Sequence, residues 1–218
     1  LGVRSITRNT VKTILKRNGY DTGPKRGPGT WDEFIKRHAK TLWQFDFFSK
    51  RIVSQSGFRD VFVLVFLHVE RRKELITPAT YNHDQAWMIE QPGAFIHALS
   101  LRTPADHKFG SLFAKFPKEE DLPCKILMLD NDGKLSQPFL DALISSGIKT
   151  KRTAIRSPYM VAYVERFIQT IRQECLDHFV VFGRVYMNVP CSQFREHYHL
   201  ERPHQGLNNE LIEKPLSN

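Results

Sequence analysis

The sequence predicts a mixed α/β sheet with helices on both faces. Three β-like apolar runs, 42–50, 61–67 and 73–77, follow one another with no helical pattern between them. From about residue 84 onward, helical and strand patterns alternate, as in βαβ units. The middle run, Val61-Phe62-Val63-Leu64-Val65-Phe66-Leu67, has no polar residue, so it needs cover on both of its faces.

The elements follow in order. Residues 5–18 read as a basic amphipathic helix whose apolar stripe is Val11, Ile14 and Leu15, stopped at Asn18-Gly19. Such a helix could be the second of a helix-turn-helix, with Arg8, Lys12 and Lys16 turned to DNA. Residues 22–30 are a Gly/Pro-rich linker and the best domain boundary in the chain. A short helix near 31–40 leads into the three strand-like runs. Helical pattern then runs from about Asp84 to Leu101. Pro92 lies inside it and is expected to kink or end it, because proline removes an amide donor and clashes with the preceding turn. Residues 102–123 lack a period and read as an irregular excursion. A fourth strand over 124–129, a helix over 137–146 and a fifth strand over 149–153 follow. After the loop Ile155-Arg156-Ser157-Pro158 comes a long helix from about Met160 to His178. The last helix, about 184–200, contains Pro190, a second proline that looks misplaced.

Composition narrows the function. A hydrophobic content of 41% supplies a core, which argues against global disorder. The net charge of +9 favours a polyanionic partner. Residues 1–40 hold ten Lys/Arg against three acids, so the excess sits in the leading segment, as in a nucleic-acid-binding arm. Cys124, Cys175 and Cys191 are odd in number and widely spaced, which argues against a disulfide framework or a cysteine zinc site and suits a reducing cytoplasm. No apolar run approaches the roughly 20 residues of a membrane span, and no segment reads as a signal peptide. The chain opens on Leu1 rather than Met, as a fragment or a trimmed product would.

Three carboxylates carry the candidate chemistry. Asp46 lies in Leu42-Trp43-Gln44-Phe45-Asp46-Phe47-Phe48, Asp130 ends the run Ile126–Leu129, and Glu165 lies in the long helix. Aspartate is depleted in strands, so Asp46 among phenylalanines stands out. Two aspartates at strand ends and a glutamate on a helix suggest a site for divalent metal, and in a basic chain its substrate would be a phosphodiester. Two metal ions can activate one oxygen and stabilise the other in such a transfer, and Mg²⁺ suits a few carboxylates plus water and phosphate. Arg172 lies two helical turns beyond Glu165, on the same face, where a cation could hold a DNA strand. Arg166 flanks that line. Leu127-Met128-Leu129-Asp130-Asn131-Asp132-Gly133 also has the look of a phosphatase D-x-D-G strand, but no suitable acidic pair follows it.

Together these segments resemble the integrase catalytic core of bacterial insertion sequences, the DDE transposases related to retroviral integrases. The resemblance is carried by Asp46-Phe47-Phe48, by Asp130-Asn131-Asp132, and by Arg156 to Phe167 with Glu165 in it. Downstream it includes Thr170 to Asp177 and His197-Tyr198-His199-Leu200-Glu201-Arg202-Pro203-His204-Gln205-Gly206-Leu207. Asp130 and Glu165 are 35 residues apart, close to the family's spacing. The resemblance implies a ribonuclease H-like fold preceded by a partial helix-turn-helix. It divides the chain into 1–29, a catalytic core over 30–180, and a C-terminal helix and tail over 181–218. It also implies Mg²⁺ or Mn²⁺ held by Asp46, Asp130 and Glu165, and DNA contacts from Arg8, Lys12, Lys16, Arg156, Arg166 and Arg172. The implied reaction is cleavage at element ends by water, then joining of the 3′-hydroxyl to target DNA. The implied partners are DNA and further copies of the chain, in a bacterial cytoplasm near the nucleoid. His197, Arg202, Pro203 and His204 match a tail motif expected to be structural or DNA-contacting. The departures, Pro92, Pro190 and the 84 residues between Asp46 and Asp130, suggest drift, and the alternative reading is a catalytically inactive DNA-binding remnant.

Overall fold

Aromatic and β-branched residues dominate the chain from Leu42 to His68, and they form a long hairpin at the centre of the sheet. In the computed structural model, which describes residues 7–19, 30–100, 123–130, 135–153 and 158–213, strand β1 spans Leu42–Ser54 and β2 spans Gly57–His68. They pair antiparallel from Trp43↔His68 to Ser54↔Gly57. The turn closes on Gly57, whose φ of +99° suits a residue without a Cβ. Both strands extend beyond the apolar runs that announce them. The start of β2, Gly57–Asp60, is exposed, whereas at the far end of β1 only Arg51 is exposed and Ile52 is buried.

Strand β3 (Glu74–Ile76) adds antiparallel to β2. Strands β4 (Ile126–Leu129) and β5 (Lys149–Arg152) add parallel on the other side of β1. The order is β3-β2-β1-β4-β5. Val61 and Val63–Leu67 of β2 are buried, as expected for a strand covered on both faces.

Two compact units make up the chain, Leu1–Arg37 and His38–Asn218. The first contains α1 (Arg8–Arg17) and α2 (Trp31–His38) but for its last residue. The N-terminus of α2 is a capping box. The Glu33 amide donates to Thr30 Oγ1 at 3.2 Å and the Thr30 amide donates to Glu33 Oε2 at 2.9 Å. Of the expected helix-turn-helix, α1 is the helix described, and its stripe of Val11, Ile14 and Leu15 is exposed. Residues 1–6 and 20–29 lie outside the described residues.

In the second unit, α3 (Gln85–Ser100) and α4 (Gln137–Ser145) cover one face of the sheet. There Trp43, Phe45, Phe66, Leu127 and Leu129 meet Phe95, Phe139 and Leu143 in one core. Helices α5 (Ala162–Glu174) and α6 (Asn188–Leu200) belong to the other face. Val164, Phe167, Ile168 and Ile171 of α5 are buried there.

Both prolines differ from expectation. Helix α3 runs through Pro92 without interruption, and Pro92 itself is buried in the core. The carbonyl that loses its donor is that of Met88, and beside it the side chain of Gln91 donates to the Trp87 carbonyl at 2.8 Å. Pro190 is the third residue of α6, in the first turn, where amides have no intrahelical acceptor to lose. The last helix therefore starts at Asn188, four residues later than its pattern suggests. Replacing Pro92 by alanine is expected to change stability by less than about 1 kcal/mol, because the regained amide bond is offset by lost buried methylenes. A gain near the ~3 kcal/mol of an ordinary helix-interior proline, read by calorimetry, would restore the view that Pro92 breaks the scaffold. The irregular excursion expected over 102–123 lies outside the described residues, apart from Pro123.

Candidate active site

Pleat parity sorts the residues of β1. Trp43, Phe45 and Phe47 point toward α3 and α4, and Gln44, Asp46 and Phe48 point toward α5. Asp46 is the fifth residue of a 13-residue strand, so it lies in the strand interior and not at an end. It is only partly buried, because β4 stops beside it. Its Oδ1 accepts the Phe47 amide at 2.8 Å.

The parallel pairing of β1 with β4 runs Leu42↔Ile126, Trp43↔Leu127 and Gln44↔Met128. Carried two residues further, the same offset brings Asp46 level with Asp130. Level residues on paired strands share a face, so both aspartates belong to the α5 side. Asp130 is the first residue past β4, and it is exposed. Thr153, just past β5, donates its hydroxyl to Asp130 Oδ1 at 2.9 Å and holds that side chain.

Glu165 is the fourth residue of α5. Partial burial and the charge of Asp130 raise its carboxyl above the usual carboxylate range. Asp130 is the smaller of the two causes, and Glu165 itself is exposed. The strand register thus assigns Asp46 and Asp130 to the face that α5 covers, and Glu165 lies in the first turns of α5. Among the described residues, no three His, Cys, Asp or Glu side chains stand close enough to grip one ion as a finished cage. The donor set nevertheless fits a hard divalent cation. All its ligands are carboxylate oxygens, and two of them repel each other, which a divalent charge would relieve.

The basic residues expected beside the acids are differently engaged. Arg172 is exposed, but its guanidinium donates to the Ser49 carbonyl at 2.6 Å and lies 5.9 Å from the centre of the Phe48 ring. Arg166 donates to Gln169 Oε1 at 3.2 Å on the exposed side of α5. Lys12 is exposed on α1. Arg156, Asn131 and Asp132 lie outside the described residues, and so do the side chains of Arg8 and Lys16.

Three features went unread in the sequence. Gln44 is wholly buried, and its carboxamide bonds to the start of α5. The signal was a polar residue two positions before Asp46 in an apolar strand, hence on its face. The second is β5, whose Lys149, Lys151 and Arg152 are exposed at the edge of the sheet. Lys149 pairs with Ile126 and Lys151 with Met128, so these two lysines lead along the face that carries Asp130.

The third is a buried charge network behind β3. Lys73 Nζ lies 3.1 Å from Glu213, while His199 donates to Glu74 at 2.8 Å and lies 3.5 Å from Glu213. Burial opposes a charge on His199, but Glu74 and Glu213 outweigh it and raise the imidazole to about 9. Burial likewise opposes the Glu213 charge, yet the His199 hydrogen bond and Lys73 hold that carboxyl down to about 2. The tail residues expected to be structural or DNA-contacting are also engaged within the protein. Arg202 makes a two-pronged pair with Glu174 at the end of α5, at 2.7 and 2.8 Å. His197 meets Glu201 at 2.8 Å, and buried His204 donates to the Tyr198 carbonyl at 2.7 Å.

Comparison with known proteins bears on the fold. Residues 146–210 match the family model described as integrase core domain. No curated protein matches the chain. Among solved structures, the fold is similar to a chain of the simian T-cell lymphotropic virus intasome, determined by cryo-electron microscopy in complex with PP2A regulatory subunit B56 gamma. The TM-score is 0.52 at 13% identity, over 76% of this chain and 50% of that one. This chain therefore spans about half the length of that one. The catalytic core domain of HTLV-2 integrase in complex with magnesium, in its dimeric form, aligns at 14% identity and a TM-score of 0.47, over 77% of this chain and 91% of that one. The five-stranded sheet with helices on both faces is the ribonuclease H-like integrase core fold. The chain thus shares the integrase core fold, and its residues 146–210 are similar to the integrase core domain.

Proposed function

We propose that the chain transfers DNA phosphodiester bonds, cutting DNA at the ends of a mobile element and joining the resulting 3′-hydroxyl to a target. What supports this reading is the parallel register of β1 and β4, which carried two residues past Gln44↔Met128 sets Asp46 level with Asp130, together with a Glu165 carboxyl that burial and Asp130 raise. Asp46, Asp130 and Glu165 would hold Mg²⁺ or Mn²⁺. When bound, the metal supplies an activated oxygen nucleophile and charge stabilisation at the leaving oxygen. The chain's own part is to orient those carboxylates: Thr153 holds Asp130 in place and α5 presents Glu165. The purified protein is expected to nick DNA and join strands in Mg²⁺ or Mn²⁺ and to do neither in EDTA. Nicking that persists in EDTA, or none with either ion, would refute the reading.

Basic residues support DNA as the partner. The +9 charge and the arm with Arg8, Lys12 and Lys16 supply phosphate attraction, and Arg156, Arg166 and Arg172 are proposed contacts nearer the acids. Lys149 and Lys151 are added to them, since they line the face that carries Asp130. Lysines also guard exposed sheet edges against strand addition, so an experiment must separate the two roles. Lys149→Gln with Lys151→Gln is expected to make the salt dependence of DNA binding shallower by about 2 in log–log slope. An unchanged slope with increased aggregation would make them edge guards only. The exposed apolar residues Phe58, Val180, Phe182, Val185 and Tyr186 support self-association on DNA. No helix among the described residues is long and apolar enough to cross a membrane. The alternative, an inactive DNA-binding remnant, loses the support of Pro92 and Pro190, which both sit in intact helices.

A further inference from the structure

Gln44 has no exposed surface, although it lies on the central strand among Leu42, Trp43 and Phe45. A buried carboxamide is costly unless its hydrogen-bonding groups are met. Here every one used is met by one short stretch of chain. Nε2 donates to the Met160 carbonyl at 2.9 Å. Oε1 accepts the amides of Tyr163 and Val164, each at 3.1 Å.

Those two amides are the second and third of α5, the pair that a capping side chain ordinarily takes. The residue at the cap position is Val161, whose side chain makes no capping bond. The cap therefore comes from another element, more than a hundred residues earlier in the chain. A cap from within the helix would stabilise α5 equally well. A cap from β1 does something more: it fixes the distance and rotation of α5 relative to the strand. Asp46 lies two residues beyond Gln44 on the same face, and Glu165 follows Val164 directly. A second clamp holds the same turn, for the Arg72 guanidinium covers the Tyr163 ring at 4.0 Å.

We propose that Gln44 is a positioning residue, which ties the first turn of α5 to β1 and so sets where Glu165 stands relative to Asp46 and Asp130. The inference deepens the functional reading above and rests on it for the importance of the acids. Glutamine suits the task because one carboxamide both donates to a carbonyl and accepts from two amides. Glutamate could do only the second, and methionine neither.

The test separates positioning from capping. Gln44→Met keeps the length of the side chain and removes its bonds. Adding Val161→Thr supplies a local capping hydroxyl of the same shape. Gln44→Met is expected to speed hydrogen exchange at Tyr163 and Val164 and to weaken Mn²⁺ binding, read by electron paramagnetic resonance, about tenfold, as loss of an orienting partner does. The double variant is expected to regain amide protection and melting temperature without regaining Mn²⁺ affinity. Spin labels on Gln169 and Lys149 report the distance from α5 to the sheet, which is expected to broaden in both variants. Recovery of Mn²⁺ affinity in the double variant, or a label distance unchanged by Gln44→Met, would reduce Gln44 to a cap and overturn the proposal. Should the unaltered protein take up no Mn²⁺, the metal reading falls, and the label distance still decides the role of Gln44.

Discussion

Replacing Asp130 by asparagine is expected to lower DNA cleavage and joining at least about a thousandfold while DNA affinity stays nearly constant. Metal-held charge stabilisation is worth several kcal/mol, and each 1.36 kcal/mol is tenfold in rate. On the proposed reading, DNA affinity would come from the basic residues, which the change leaves alone. Asparagine keeps an oxygen for the Thr153 hydroxyl, so the loop after β4 should stay in place. The same variant is expected to be slightly more stable than the parent when metal is absent. Desolvation and the charge of Asp130 raise the Glu165 carboxyl, so ionised Glu165 costs stability in the folded state. That cost is absent at pH values below the ordinary carboxylate range and complete once pH exceeds the raised value. The gain in melting temperature should accordingly appear at pH 8 and vanish at pH 3. A variant that cleaves normally would remove Asp130 from the site, and one that unfolds would make it a structural residue.

Lys73→Met is expected to cost about 2 kcal/mol, or roughly 4–8 °C in melting temperature, because it leaves a partly buried carboxylate short of its cation. Lys73 is wholly buried and reaches Glu213, the residue by which the tail returns to His199. The network also has a pH signature. The His199 value is raised above its unfolded one, so its contribution is complete below about pH 6.5 and fades as pH climbs through about 9. The Glu213 value is depressed, so its contribution is complete above about pH 4.5 and fades as pH falls toward about 2. Stability from this network should be greatest between those limits. A melting temperature that did not decline from pH 6 to pH 9 more in the parent than in His199→Leu would argue against a charged His199.

Much of this was legible in the chain, and the part that was not has a common cause. Asp46 could be found because a carboxylate inside an apolar strand defies local preference. The full length of its strand could not, since β1 continues past residue 50 into Arg51 and Ser54, which look like loop. The charge network was invisible because Lys73, Glu74, His199 and Glu213 are ordinary surface residues by type, and only the return of the tail buries them. Pro92 misled for a related reason. A propensity rule prices the backbone of one helix, whereas the core around Phe95 belongs to the tertiary structure.

The register of β1 with β4, which carried onward sets Asp46 level with Asp130, would make the proposed site indifferent to length and sensitive to phase. The chain joining α3 to β4 can gain or lose residues in any number, because the parallel ladder, and not the connection, determines which residue faces Asp46. One residue inserted within Ile126–Leu129 would act quite otherwise. It would swing the acid to the face that holds Phe95 and Phe139, and put an apolar side chain among the remaining carboxylates. Divergence in this protein should therefore be generous between secondary elements and nearly forbidden inside four residues of one short strand.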